Sequence, residues 1–140
     1  MEVVVTNELA ELERLNAGLA QFCSENRLAA EIEGEVSLAL EEIVVNVMRY
    51  GHPEGGKHEI LVRLCREGGE VTIEVEDDGV AFNPLASPPP DLQGPLAARP
   101  IGGLGIHLVK NLMDSVEYRR DNGRNRLTMR KRVPEMEASG

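Results

Sequence analysis

The sequence predicts an α/β (α+β) domain, a two-layer sandwich with a mostly antiparallel sheet covered on one face by three helices. Three observations carry this. Apolar residues recur at three- and four-residue steps in the N-terminal third, as amphipathic helices require. Runs that alternate apolar and polar residues then appear in pairs around glycine-containing turns, as hairpins require. The chain has 140 residues, 41% of them apolar, which is enough for one domain with its own core and no covalent staples.

The elements follow in order. Met1–Thr6 is rich in valine and reads as a short strand. Thr6 or Asn7 is expected to cap a helix, with Glu8 and Glu11 near its positive end. Leu9, Leu12, Leu15, Leu19 and Phe22 form the apolar stripe of that helix, which Asn26 and Arg27 break. A second helix should start near Ala29–Glu31 and run to Tyr50 despite the cost of Gly34, ending at Gly51, Pro53, Gly55 and Gly56. Glu59–Arg66 and Glu70–Glu76 form a hairpin across Gly68-Gly69, with Ile60, Val62, Leu64, Val71, Ile73 and Val75 on its covered face. An irregular stretch to Ile101 holds six of the eight prolines, and its length marks a lid or an insert. A helix opening at Gly105 or Ile106 runs to about Met113. Val116–Arg120 and Arg126–Arg132 make a closing hairpin across Asn122-Gly123, before a frayed tail over residues 135–140.

Composition excludes several classes. A net charge of -9 and a pI near 4.8 argue against a nucleic-acid surface, which needs basic residues for phosphates. No stretch reaches the roughly 18 apolar residues of a membrane span, and the N-terminus is unlike a signal peptide. Cys23 and Cys65 are isolated and read as reduced thiols of a cytoplasmic protein. His52, His58 and His107 lack a metal-ligand spacing and default to surface or packing roles. The basic run from Arg119 to Arg132 defaults to a solvated hairpin face.

Three segments carry candidate chemistry. In LALEEIVVNVMRYG (Leu38–Gly51), Glu42 and Asn46 stand four residues apart, a carboxylate and an amide on one helical face among apolar neighbours. They are either a solvated face or a working pair. Asp77-Asp78-Gly79 closes a strand and is either a tight turn or a carboxylate placed to accept an exocyclic amine. Gly102-Gly103-Leu104-Gly105, just before a helix, is either a turn or a backbone that approaches an anion closely.

Together and in this order, the segments resemble the GHKL superfamily of ATP-binding domains, with its Bergerat-type fold, found in histidine kinases, gyrase-type topoisomerases and chaperone ATPases. Glu42-x-x-x-Asn46 resembles its N box, Asp77–Phe82 its first glycine box and Gly103-Leu104-Gly105 its second. The resemblance runs from about Leu9 to Lys131 of a single domain spanning 1–140. It is nearest to the bacterial anti-sigma-factor serine/threonine kinases, which share Glu41-Glu42-Ile43, Asn46, the Asp-Asp-Gly with Phe82, and the run Gly105 to Asp114.

That resemblance implies a set of roles. Asn46 would ligate Mg²⁺ on the ATP phosphates, and Glu42 would be the general base. Asp77 would bind the adenine amine, with Gly79 and Ala81 lining the nucleotide site. Gly103, Leu104 and Gly105 would bring the backbone to the phosphates, and residues 83–101 would form the ATP lid. It also implies a cytoplasmic regulator that binds a sigma factor and phosphorylates an anti-anti-sigma (antagonist) protein, with no direct nucleic-acid or membrane contact. An exposed first strand leaves room for a homodimer. The chain departs from the pattern at Ile101, where an Arg often stands, at Tyr50, where a His often stands, and at Arg124-Asn125, near the usual Gly-Thr step. The missing Arg keeps an alternative open, a non-catalytic nucleotide-gated binding module. A histidine-kinase catalytic fragment is disfavoured for want of a helical dimerisation segment with a phospho-acceptor His, and a gyrase- or chaperone-like ATPase for want of further domains.

Overall fold

In the computed structural model, which describes residues 1–81, 83 and 103–133, one apolar seam joins two layers. The elements are β1 (Glu2–Thr6), a 3-10 turn (Leu9–Glu11), α1 (Leu12–Glu25), α2 (Ala30–Tyr50), β2 (Glu59–Glu67), β3 (Glu70–Asp77), α3 (Gly103–Leu112), β4 (Ser115–Asp121) and β5 (Arg124–Arg132). The sheet order is β1-β2-β3-β5-β4, and every pairing is antiparallel. The expected two-layer sandwich of five antiparallel strands and three helices is thus present. Most of the expected lid (84–101) and the tail (135–140) lie outside the described residues.

Local chemistry explains most boundaries. At the end of α1, Arg27 takes a left-handed φ of 54°. Its amide bonds the Ser24 carbonyl at 3.2 Å, and the Leu28 amide bonds the Cys23 carbonyl at 2.9 Å. This is the paired closure that ends a helix and turns the chain back, here without the usual glycine. α2 opens with Glu31 and Glu33 and closes with Arg49, charges that suit the two ends of its dipole. Asn122 (φ 52°) and Gly123 (φ 74°) form the two-residue turn that matches strand twist.

Two expectations are corrected. Neither Thr6 nor Asn7 caps the first helix. Glu8 precedes the 3-10 turn with no side-chain cap, and the Thr6 amide donates instead to Glu11 Oε1 at 3.2 Å. The Asn7 side chain turns toward the loop before β2, where its amide group bonds the Gly56 carbonyl and the His58 amide, each at 3.0 Å. The third helix begins at Gly103, two to three residues before the expected start, because the glycines enter its first turn.

The period-2 pattern of the strands separates the two faces. Ile60, Val62, Leu64, Val71, Ile73 and Val75 are at most 2% exposed and meet Leu15, Leu40, Val44 and Val109 from the helices. The other face carries cross-strand ion pairs. Arg63 bonds Glu2 at 3.0 Å and reaches Glu74, Arg126 bonds Glu76 at 2.8 Å, and Arg130 meets Glu117 at 3.3 Å. Within the basic run, Arg124, Arg126 and Arg130 are thus paired across strands, and Lys131 meets Glu35 of α2. Cys23 and Cys65 are free thiols, and burial, aided by Glu33, pushes the buried Cys23 up to about 11. Among the described residues no helix is long and apolar enough to cross a membrane.

Glu76 is the acid most enclosed by this charged face, 7% exposed. The Arg126 hydrogen bond holds its carboxyl below the ordinary 4.5; burial opposes this, and the charges of Arg124, Arg126 and Arg63 add to it. A carboxylate with a lowered folded-state pKa contributes stability above its unfolded value and loses it as pH falls through the folded one. Glu76→Gln should therefore lower the unfolding free energy by about 1–3 kcal/mol at neutral pH. The gap to the parent should shrink as pH falls below 4.5. Urea unfolding of both proteins across that range checks it.

Candidate functional site

The exits of α2 and β3 meet, and the candidate site is built at that junction. The Val80 amide donates to the Gly51 carbonyl at 2.8 Å, tying the residue after α2 to the turn after β3. That turn is closed from inside, since the Gly79 amide donates to Asp77 Oδ2 at 2.8 Å. A Cβ on Gly79 would sit 2.4 Å from the Gly51 carbonyl oxygen and 2.7 Å from Asp77 Oδ2, so only glycine fits.

Asp77 is 3% exposed although it is a carboxylate. Such a group needs donors, and the facing strand supplies one. Asp77 pairs in register with Asn125 of β5. The Asn125 amide nitrogen donates to Asp77 Oδ2 at 3.3 Å and to the Val80 carbonyl at 2.8 Å. Its oxygen accepts from Arg120 Nη1 at 3.0 Å and from the Tyr118 hydroxyl. Arg120 also donates to the Gly79 carbonyl at 2.7 Å. The Asp-Asp-Gly turn is thus gripped from the closing hairpin by Asn125 and Arg120, with Tyr118 bracing Asn125.

Asn46, 6% exposed, and Asp77 line one cleft, which Tyr118, Asn125 and Arg126 close on the hairpin side. Ile43, Val47, Val75 and Leu127 give it apolar walls. The cleft is narrow, with a cavity of about 30 Å³ and about 440 Å³ of empty space when its open mouth is counted. An apolar slot with a few fixed polar groups suits a flat ring with a hydrogen-bonding edge.

Of the residues singled out in the sequence, the structure brings Asn46, Asp77 and Gly79 together. Glu42 lies one turn before Asn46 on α2, half-buried, and does not line the cleft. Ala81 is exposed just beyond the turn. Gly103, Leu104 and Gly105 form the first turn of α3, and their side chains lie outside the described residues. For Mg²⁺ the fitting donor is the Asn46 amide oxygen, a hard ligand of the kind that ion takes alongside phosphates and waters.

Sequence reasoning missed Asn125, Tyr118 and Arg120 as site residues. The available signal was the departure at Arg124-Asn125, but its meaning depends on a β3–β5 pairing made far apart in sequence. Two of the three histidines, expected in surface or packing roles, pack on each other. His52 and His58 stack face to face, with ring centroids 3.6 Å apart, and both converge on Asp78 at the mouth of the junction. His107 is exposed on α3, as expected.

Comparison with known proteins bears on the family and the fold. The histidine kinase-like ATPase domain profile matches residues 5–131. The chain is 26% identical over 111 residues to the serine/threonine-protein kinase BtrW of Bordetella bronchiseptica, covering 79% of this chain and 78% of that one. It is 28% identical over 124 residues to the anti-sigma F factor of Clostridium acetobutylicum, covering 81% and 80%. The serine-protein kinase RsbW of Bacillus mycoides is 31% identical over 94 residues, which cover 64% of this chain and 58% of that one. In fold, a Mycobacterium tuberculosis structure of RsbU and RsbW domains superposes with a TM-score of 0.62 at 14% identity, over 95% of this chain and 32% of the other. The histidine kinase domain of a blue-light activated kinase from Erythrobacter litoralis gives 0.57 at 16% identity, over 89% and 60%.

Asn125→Ala should remove one donor from buried Asp77 and leave the Val80 carbonyl without its side-chain partner. We expect a loss of about 1–3 kcal/mol in unfolding free energy, read by urea denaturation. Faster hydrogen exchange at the Gly79 and Val80 amides should accompany it.

Proposed function

Since the chain belongs to the histidine kinase-like ATPase domain family, we propose that it is an ATP-dependent serine/threonine protein kinase of the anti-sigma type. It binds a sigma factor and phosphorylates an anti-anti-sigma protein in the cytoplasm. The observation that carries this reading is the buried Asp77, held by Gly79 and Asn125 in the same apolar cleft as Asn46. The kinase and anti-sigma names of the relatives support the choice of substrate and partner.

In this reading the adenine ring enters the cleft and its exocyclic amine donates to Asp77. Guanine carries a carbonyl at that position, so the carboxylate selects against it. Gly79 keeps the approach open, because a side chain there would strike Gly51 and Asp77 themselves. Asn46 offers its amide oxygen to Mg²⁺, which when bound supplies charge neutralisation on the phosphates. The glycine-rich first turn of α3, Gly103 to Gly105 with Leu104, turns backbone amides toward those phosphates. Glu42, one turn from Asn46 on the same helix, accepts the proton of the attacking serine or threonine hydroxyl. Positioning and electrostatics then do most of the work of transfer.

A second reading rests on Ile101, which replaces an arginine often found before the second glycine box. Without that cation the domain binds ATP and changes its partner affinity, but transfers no phosphoryl group.

Calorimetry with ATP and Mg²⁺ separates the readings when combined with labelled-phosphate transfer to antagonist proteins of the same genome. We expect ATP binding that Asp77→Asn weakens by about 10- to 100-fold, the value of one charged hydrogen bond. Glu42→Gln should cut transfer by about 10²- to 10⁴-fold with ATP binding little changed. Binding without transfer to any antagonist selects the nucleotide-gated module. Absence of ATP binding overturns both.

A further inference from the structure

Beside the cleft, and independent of what that cleft binds, three side chains from two loops converge. His52 follows α2, His58 precedes β2, and Asp78 sits in the Asp-Asp-Gly turn. His52 Nε2 lies 3.7 Å from Asp78 Oδ1, and His58 Nδ1 lies 3.5 Å from the same oxygen. The three donor atoms all fall within 4.8 Å of one another.

A second observation points to a ligand. The His52 side chain is only 6% exposed, and its Nε2 is buried without a hydrogen-bond partner. At 3.7 Å the nearby carboxylate is beyond hydrogen-bond reach. Buried ring nitrogens are normally satisfied, so one left without a partner beside a stacked imidazole and a carboxylate needs an explanation. We propose that His52 Nε2, His58 Nδ1 and an Asp78 carboxylate oxygen form a binding site for a divalent transition metal of the zinc class.

The donor set excludes Mg²⁺ and Ca²⁺, which take oxygen ligands throughout, and suits Zn²⁺, Ni²⁺ or Cu²⁺. Tetrahedral zinc with bonds of about 2.0–2.1 Å has ligand-to-ligand edges of about 3.3 Å. The two nitrogen–oxygen separations already approach that; binding one ion requires the two stacked rings to turn out of parallel so that both nitrogens face it. The backbone is prepared as well. Asn7 holds the β2 end of the connection through the Gly56 carbonyl and both backbone groups of His58. The Gly55 amide bonds the His52 carbonyl at 2.9 Å, and the Gly51 carbonyl is held by Val80. Asp78 is half exposed, so a fourth position faces solvent and takes water or a donor from a partner. Metal binding would staple the α2 exit to the turn that carries Asp77.

The test uses the full chain, stripped of metal by chelation and free of nucleotide, titrated with Zn²⁺ by calorimetry and with Co²⁺ by visible absorption. The expected result is one equivalent bound, a tetrahedral Co²⁺ spectrum and a rise in Tm with Zn²⁺, none of it reversed by excess Mg²⁺. Loss of an outer-shell group alone costs metal sites about 10- to 100-fold, so His52→Ala and His58→Ala should each weaken binding by on the order of a hundredfold or more. Asp78→Asn should weaken it by at least about tenfold. Cys65→Ser and His107→Ala, which remove the other exposed soft donors, should leave it unchanged. No saturable binding, binding that survives His58→Ala and Asp78→Asn, or binding lost in Cys65→Ser overturns the assignment. If His52→Ala fails to fold, as circular dichroism would report, the half-exposed His58 and Asp78 variants decide the question.

Discussion

The hydrogen bond from the Val80 amide to the Gly51 carbonyl is the constraint on which the rest of the site depends. It fuses the end of a helix to the end of the central strand. A helix and a strand in separate layers have no ladder between them, so their relative depth is otherwise set by side-chain packing alone. One backbone bond, made possible by two glycines in contact, fixes the height of Asn46 relative to Asp77. Everything polar at that end of the molecule is then arranged around it. Asn125 braces the turn from the facing strand, and Arg120 braces it from the strand edge.

The sheet solves two problems with one alternation. Its inner residues build a dry seam with the helices, and its outer residues carry opposite charges that meet across strands. A chain with a net charge of -9 would repel itself if its acids were unpaired. Much of the acid of β3 instead faces arginines of β2 and β5, so its repulsion is satisfied locally. The charged face also lets Asp77 stand at the end of β3 without competition, since Glu74 and Glu76 point the other way.

How much of this was legible in the sequence depended on range. The amphipathic period of Leu12–Phe22, the alternation of Ile60–Leu64 and the Asn122-Gly123 turn are local signals, and each element formed close to its expected place. The antiparallel sandwich and the family followed from them and from the order of three motifs. Non-local facts were hidden. That Asn7 would clamp the loop at His58 instead of capping a helix depends on a contact across 51 positions. That Asn125 would meet Asp77 depends on β5 entering between β3 and β4. The histidines matched no metal-ligand spacing because such spacings are read along the chain, while Asp78 reaches His52 and His58 from a second loop, after β3. Of the candidate site, the carboxylate, the amide and the glycine were readable; the residues that hold them in place were not.

The strand order has one further consequence. β3 pairs on one side with β2, its hairpin neighbour, and on the other with β5, which arrives only after residues 78–123. The entropy of closing such a connection grows only with the logarithm of its length, about 0.6 kcal/mol for each doubling. Lengthening or shortening that connection is therefore cheap in entropy, while strand pairing keeps Asp77 and Asn125 in register. The scaffold separates a part whose geometry is fixed by pairing from a part whose length is nearly free to vary.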